Sequence, residues 1–305
     1  MKIPIFTDDA GWHGGQLKLA FAQRGVEAIF ISLVDCGLNL ADPKVLNQEA
    51  QNQTPQIMIP SFAEEYPQGV FIRGVAGGTL QQVIMRLNIL HMLQQVGVLV
   101  YNQGRAIERT VDKAMTSFLL RQNAVATPAT WVCESRAHAE EVRQIAENRS
   151  LSLVMKPLFG SQGLGVRKLL THAPLPVPMQ QYVDGVYYLQ ELILTSAEPH
   201  DYRVFVINGK VVAAMKRTGA SWVNNVAAGG HCEAIQPNEV ITQLALQAAK
   251  AVDIDYCGVD IIQAESGEYY VLEVNSIPAW KGLQSVTDIN IAALLVDDFL
   301  DKLNK

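Results

Sequence analysis

The sequence has little that would tie it to a membrane, a nucleic acid or an oxidising compartment. Its most apolar runs, Val96–Val100 and Ile291–Val296, are far too short to cross a bilayer. The opening MKIPIFTDDAGWHGG has no basic stretch followed by a long apolar core, so no signal peptide is read there. Four cysteines, at 36, 133, 232 and 257, form no CxxC pair, and read as reduced, mostly buried thiols of a cytoplasmic protein. No excess of basic charge exists either. The formal net charge is -6, so no global field favours nucleic acid or an anionic membrane. Repeats, low-complexity segments and histidines at ligand spacing are also missing. His13, His91, His138, His172, His200 and His231 are scattered, and only His200 adjoins a charged motif.

What is present is an α/β pattern long enough for two or three lobes: 305 residues, 49% hydrophobic and 18% charged. Over the first hundred residues strands alternate with helices. Strands are read at Lys2–Thr7, Ala28–Val34, Val70–Arg73 and Leu99–Tyr101, helices at Gly15–Gln23 and Leu80–Val96, and a loop or frayed helix at Asn47–Gln56. Such alternation predicts a small parallel α/β layer. A helix over Thr110–Gln122 follows, then a strand in TPATWVC, a charged helix Arg136–Asn148 and a strand Leu151–Lys156. A glycine loop leads into Val166–Leu170, and the Pro-rich THAPLPVP is a connector. Beyond Tyr187 come a strand to Ile193, a hairpin Asp201–Arg217, a Gly/Asn-rich loop and a helix Pro237–Val252. A second hairpin, Cys257–Asn275, and a closing helix, Ile289–Leu303, complete the chain. Boundaries near 105 and 187 divide it into 1–105, 106–187 and 188–305.

The two hairpins line up charges. Around a two-residue turn at Ser266-Gly267, Glu265 pairs with Glu268 and Asp260 falls opposite Glu273, with Asn275 on the same face. Val259, Ile261, Leu272 and Val274 form the core stripe behind them. Two opposed carboxylates in an apolar sheet repel, and a hard cation between them removes the conflict. A solvated pair of surface acids is the plainer alternative. In the other hairpin the Asn208-Gly209 turn puts Asp201 opposite Lys216, with Arg203 alongside and Tyr202, Val204, Val206, Val211, Ala213 and Met215 on the reverse face. An edge salt bridge would read the same way.

VMKPLFGSQGLGV carries Gly160, Gly163 and Gly165 after a strand ending in Lys156. The β-branched continuation speaks against a Walker loop and a dinucleotide fingerprint, both of which open a helix. A glycine loop between strands suits a flap over phosphates, with Lys156 as a point charge.

From about Asn102 to Ile291 these pieces resemble the ATP-grasp superfamily, and within it the RimK-type α-L-glutamate ligases, which add glutamate to ribosomal-protein or tetrahydromethanopterin-type acceptors. DKAMTSFLL, VMKPLFGSQGLGV, YLQELI, DYRVFVING, VNNVAAGG, GVDII, LEVNSIPAWKG and TDINIA carry the resemblance. It implies an ATP-grasp fold: an N-terminal parallel α/β pre-ATP-grasp domain (1–105), a small lobe with the Gly-rich flap (106–187) and a C-terminal lobe with the metal site (188–305), the two α+β lobes clasping ATP. Lys113 and Lys156 would contact the ATP phosphates under a flap of Gly160, Ser161, Gln162, Gly163 and Gly165. Gln190, Glu191, Leu192 and Ile193 would form the adenine-holding hinge, with Asp201 and Asn225 beside the nucleotide. Asp260, Glu273 and Asn275 match the magnesium ligands, with Mn2+ as the alternative ion. Arg203, Lys216 and Arg217 match the cations near the acceptor and the transferring phosphoryl group.

The resemblance implies ATP-dependent joining of a carboxylate acceptor to an amino acid through an acyl phosphate, with release of ADP. It also implies a homo-oligomer, dimer or tetramer. A non-catalytic ATP-binding module and an ATP-grasp kinase are the alternatives. One departure stands out. Relatives carry basic residues before the Gly-Gly where this chain has Val223, Ala227 and Ala228, which puts glutamate specificity in question. Trp222 and Trp280 would suit a planar pterin-type acceptor, although a buried core tryptophan is the plainer reading.

Overall fold

The computed structural model describes residues 1–41, 56–160, 163–170, 173, 175–176, 185–195, 199–219 and 231–305. Its strands are β1 (Lys2–Phe6), β2 (Glu27–Ile31), β3 (Gly37–Leu38), β4 (Ile57–Met58), β5 (Gly69–Ile72), β6 (Leu99–Tyr101), β7 (Thr130–Cys133) and β8 (Leu153–Lys156). They continue as β9 (Arg167–Lys168), β10 (Tyr187–Glu191), β11 (His200–Ile207), β12 (Lys210–Thr218), β13 (His231–Ala234), β14 (Tyr256–Gln263) and β15 (Tyr269–Asn275). The helices are α1 (Gly11–Ala22), α2 (Leu80–Gln95), α3 (Gly104–Val111), α4 (Lys113–Gln122), α5 (Arg136–Asn148), α6 (Glu239–Val252), α7 (Lys281–Gln284) and α8 (Ile291–Leu303). Two compact units result. The first comprises Met1–Ile107, Ala279–Lys281 and Asn290–Lys305, the second Glu108–Pro278 and Gly282–Ile289.

In the first unit the predicted parallel layer is present as a four-stranded sheet of order β2-β1-β5-β6, every pairing parallel. Thr79 opens α2 with a capping box: its hydroxyl accepts the Gln82 N–H, and Gln82 reaches back to the Thr79 N–H. Helix α8, which the sequence groups with 188–290, belongs to this unit instead. Its buried Ile291, Leu295, Val296 and Phe299 give the reason. Phe299 meets Phe21, Phe71 and Tyr101 at ring-centroid distances of 5.6, 6.0 and 5.8 Å. Next to it the buried Tyr101 hydroxyl donates to Asp298 Oδ2 at 2.8 Å.

The second unit holds two antiparallel sheets. The smaller, β7-β10-β8-β9, is backed by α5, whose Ala139, Val142 and Ala146 pack on Cys133, Leu153, Met155, Tyr187 and Leu189. The larger runs β13-β12-β11-β14-β15 and buries Val204, Val206, Ala214, Val259, Ile261, Val271 and Val274 against Ile241, Ala245, Ala248 and Val252 of α6. Asn238 starts α6 by accepting the Ile241 N–H at 2.9 Å.

The sequence reads one helix over Thr110–Gln122, and the structure divides it. Asp112 is extended (φ -83°, ψ 103°), and its carboxylate accepts the N–H groups of Ala114 and Met115. By offering the backbone a side-chain partner, Asp112 ends α3 and starts α4 with Lys113 as its first residue. The loop or frayed helix read at Asn47–Gln56 lies, apart from Gln56, outside the described residues.

Phe299→Ala should therefore loosen the N-terminal sheet rather than the lobe nearer to it in sequence. We expect a loss of about 3–5 kcal/mol in urea unfolding. Amide exchange should quicken in β1, β5 and β6 and stay unchanged in β14. Unchanged protection in β1 and β5 would contradict this packing.

Candidate functional site: a charged face on the large sheet

The site is built on the face of the large sheet that α6 leaves uncovered. Antiparallel register places Asp201 opposite Arg217, Arg203 opposite Asp260, Asp260 opposite Glu273 and Gly258 opposite Asn275. Paired residues share a face and alternate residues on a strand do too, so all six polar side chains project together.

The predicted partnership of Asp260 and Glu273 is present, but the route to it differs. The turn is longer than two residues: Ala264 N–H bonds Glu268 O and Gly267 N–H bonds Ala264 O, both at 2.8 Å, with Gly267 at φ +94°. Glu265 and Glu268 are therefore not paired. A bulge between Asp260 and Ile261 inserts Leu272, so Ile261 opposes Val271 while Asp260 still opposes Glu273. The two displacements cancel at the carboxylates. They do not cancel in the core, where Val271 takes the place expected for Leu272.

In the other hairpin the Asn208-Gly209 turn is as read, with φ +47° and +67°. A bulge at Val212 then shifts the register, so Asp201 faces Arg217 and not Lys216. Lys216 pairs with Tyr202 and Glu233 on the opposite face. Ala214 accordingly replaces Ala213 and Met215 behind the sheet. His200 also falls on that opposite face, with its ring 5.5 Å from that of Tyr202.

On the charged face the side chains form one network. Arg203 grips Asp260 with two bonds, Nε to Oδ1 and Nη2 to Oδ2, the latter at 2.8 Å. Arg217 donates from Nε to Asp201 Oδ1 at 2.5 Å, and its Nη2 lies 3.0 Å from Asp260 Oδ1. Gly258 makes room for this. A Cβ there would come within 3.0 Å of Arg203 Cδ and 3.1 Å of Pro278 Cβ. Burial works against the charge of Asp260, yet Arg203 and Arg217 outweigh it and hold its pKa below the usual value. Asp201 has a single arginine bond, and burial pushes it up to about 6. Burial opposes the charge of Arg217 too, but Asp260 and Asp201 together raise its pKa. Removing one member would leave a buried charge without its partner, at a cost of about 3–5 kcal/mol.

The small sheet brings the lysines. Lys156 Nζ donates to Gln190 Oε1 at 2.6 Å. Gln190 in turn donates from Nε2 to Thr130 Oγ1 and to the Tyr188 hydroxyl, both at 3.0 Å, and that hydroxyl lies 2.7 Å from Ser117 Oγ. Gln190 is thus buried as the holder of Lys156, a role the sequence did not show. Burial lowers the Lys156 pKa to about 8, against the attraction of Glu273 and with the repulsion of Lys113. Lys113 is lowered by burial as well, again against Glu273. Glu273 therefore lies within electrostatic reach of both lysines. Lys113 Nζ donates to Gly160 O at 2.8 Å, tying the start of α4 to the glycine-rich segment.

That segment joins β8 to β9, which pair antiparallel through Val154–Lys168 and Met155–Arg167. Gly165 sits at φ +77°, and a Cβ on it would come within 2.8 Å of Pro157 Cγ. Ser161, Gln162 and Asn225, expected at the nucleotide, lie outside the described residues, as do Trp222, Val223, Ala227 and Ala228.

At the end of β10, Leu192 N–H donates to Ser152 O at 2.8 Å, and Glu191 Oε2 lies 3.4 Å from the Ala129 N–H. A cavity of about 340 Å³ adjoins Glu191–Leu194 and is also lined by Ser152, Glu265 and Tyr270. None of the charged residues of the large sheet's face lines it. Trp280 is 1% exposed and packs edge-on to His13 with centroids 4.6 Å apart, so it cannot stack on a ligand ring. His13 Nε2 accepts the Trp280 N–H at 3.0 Å, and burial, then Arg73 and Lys281, lower its pKa to about 4. Nothing in the spacing of the histidines signals that neutral-acceptor role.

Asp260, Glu273 and Asn275 offer two carboxylates and an amide oxygen on one face, the hard donors that magnesium favours. Asn275 Nδ2 donates to Gly258 O at 3.4 Å, which leaves its oxygen as the acceptor. Among the described residues no three His, Cys, Asp or Glu side chains are placed to hold a metal ion by themselves, so a cation here would take its other donors from Asn275, a ligand or water. Nor is any described helix long and apolar enough to cross a membrane.

Known proteins resemble this chain along most of its length. A model of the RimK-like ATP-grasp domain matches residues 110–299. The chain is 33% identical to tetrahydromethanopterin:alpha-L-glutamate ligase of Methanococcus maripaludis, over 99% of this chain and 98% of that protein. It is 30% identical to a probable alpha-L-glutamate ligase of Halorhodospira halophila, over 100% and 96% of the two chains. The fold is shared with the ATP-grasp ligase PsnB in complex with a minimal precursor (TM-score 0.75, 20% identity, 98% of each chain). It is shared also with D-cycloserine synthetase DcsG (TM-score 0.72, 17% identity, 99% and 100%). The chain belongs to the RimK-like ATP-grasp family, a family of ATP-dependent carbon–nitrogen ligases.

Proposed function

We propose that this chain uses Mg-ATP to join L-glutamate, or a similar amino acid, to a small-molecule carboxylate of the pterin-coenzyme type. The observation that carries the reading is the face on which Asp260 and Glu273 stand opposed, with Asn275 beside them and Arg203 and Arg217 next to Asp260. Glu273 also acts on the charges of Lys113 and Lys156. Opposed acids, flanking cations and two lysines are what a triphosphate with a divalent ion requires.

The chemistry balances without a protein nucleophile. A substrate carboxylate oxygen attacks the γ-phosphorus, the bond from that phosphorus to ADP breaks, and an acyl phosphate forms. The amine nitrogen then attacks the acyl carbon, phosphate leaves, and the nitrogen loses a proton to give the amide. Magnesium, when bound, neutralises charge on the phosphoryl oxygens. Asp260, Glu273 and the Asn275 oxygen would hold it. Lys156, held by Gln190, and Lys113 would meet the phosphates. Arg217, steadied by Asp201, would face the transferring group. Arg203 would orient the acceptor carboxylate. Lys216, on the other face, is given no part. The amine and acceptor are drawn from the methanogen relative, whose name states that pair.

Incubation with ATP, magnesium, glutamate and a panel of pterin-type carboxylates, followed by mass spectrometry, tests the reading. The expected product is heavier by one glutamate residue, with one ADP per bond. ADP release with a phosphorylated product would instead make the protein a kinase, and no turnover with any acceptor would sink the ligase reading. Glu273→Gln should lower kcat roughly 10²–10³-fold while the melting temperature changes little; wild-type turnover would refute the metal assignment. Lys156 is cationic below about 8 and neutral above it, and a triphosphate favours the cation. Nucleotide affinity should accordingly weaken as pH rises through 8, by at most about tenfold per unit. Lys156→Met should bind more weakly and lose that pH dependence, whereas an identical profile in the variant would count against contact with phosphate.

A further inference from the structure

We infer that Arg203 and Arg217 close the Asp260 site to a bare divalent cation and make metal entry conditional on the triphosphate. The inference rests on the nucleotide-binding reading above and concerns the order in which that site fills.

The first observation is the use of acceptor positions. A carboxylate offers about four lone-pair directions. Asp260 gives two of them on Oδ1, to Arg203 Nε and Arg217 Nη2, and one on Oδ2, to Arg203 Nη2. A cation can therefore meet Asp260 through Oδ2 alone, singly coordinated. Closer coordination means pulling the carboxylate off a guanidinium whose geometry matches it with two parallel bonds.

The second observation is charge. Around this face stand the carboxylates Asp201, Asp260 and Glu273 and the cations Arg203, Arg217, Lys113 and Lys156. Asp112, whose charge also reaches Lys113, brings the acids among these described residues to four and their sum to zero. A bare divalent ion thus finds opposed acids but little net attraction, because the arginines pair with Asp260 and Asp201 and the lysines offset the field of Glu273. A triphosphate changes this. Its negative charge engages Lys113 and Lys156, releases the field of Glu273, and brings phosphate oxygens as further donors. Metal and nucleotide then bind as a unit.

The design differs from an acidic cage, in which excess negative charge captures the ion first. Here the resident arginines keep two buried acids compatible with a folded sheet, and the metal gains access only with a partner that outbids the lysines.

Mn2+ binding to the nucleotide-free protein, followed by electron paramagnetic resonance of the free ion, tests the inference. The wild type should bind Mn2+ only at millimolar concentrations. Arg203→Gln, which leaves Arg217 on Asp260, should tighten binding by about tenfold or more, and Lys113→Gln by about threefold through charge alone. Micromolar Mn2+ binding by the wild type overturns the inference, as does no tightening in either variant. Should Arg203→Gln melt well below the wild type, Lys113→Gln decides, since it alters the first residue of α4 and leaves the buried network whole. Titration of the same preparations with fluorescent ADP in magnesium separates the two readings. If the wild type binds no nucleotide, the proposed function fails. Nucleotide binding combined with unchanged Mn2+ affinity in the variants overturns this inference alone.

Discussion

The site depends on a carboxylate shared between two guanidinium groups. Asp260, Arg217 and Asp201 are buried, and Arg203 nearly so, on a sheet whose other face packs an apolar core against α6. Such charges stay in a fold only when each is paired and hydrogen-bonded. That requirement determines much else. It calls for glycine at 258 so that Arg203 can cross β14, for a bulge at Val212 so that Arg217 rather than Lys216 meets Asp201, and for a bulge at Leu272 so that Glu273 keeps its place opposite Asp260.

Rigidity on the large sheet is matched by a different device on the small one. Lys156 is aimed by a chain of neutral groups, from Gln190 to Thr130 and Tyr188 and on to Ser117. Neutral partners position an ammonium group without cancelling its charge, so the lysine stays available to an incoming anion. The arginines are treated in the opposite way, with carboxylates holding them. In one half of the site the cations are paired with carboxylates of the chain, and in the other the lysine is held by neutral groups.

Much of this was legible in the sequence, and what escaped did so for physical reasons. Parallel strand–helix alternation gave the first layer, and ordered motifs gave the family. The opposition of Asp260 and Glu273 came out correctly only because a longer turn and a bulge offset each other. The pairing of Asp201 was missed because Val211 to Met215 is apolar throughout, so no polar residue marks the phase at which the strand slips. The Gln190 relay joins residues far apart in the chain, and nothing local announces it. The break at Asp112 was different: an aspartate just before a lysine-led helical run is a capping signal that could have been read.

The membership of α8 in the first unit bears on how the protein is made. A ribosome releases residues 2–101 early, yet the phenylalanine that fills their core emerges only near position 299. Until then the parallel sheet lacks the side chains that α8 packs on it, while the stretch from 108 to 278, which holds core clusters of its own, has already been delivered. Vectorial synthesis usually favours the amino-terminal part. Here the later-made lobe has the head start, and the nascent amino-terminal layer is the portion with most reason to engage a chaperone.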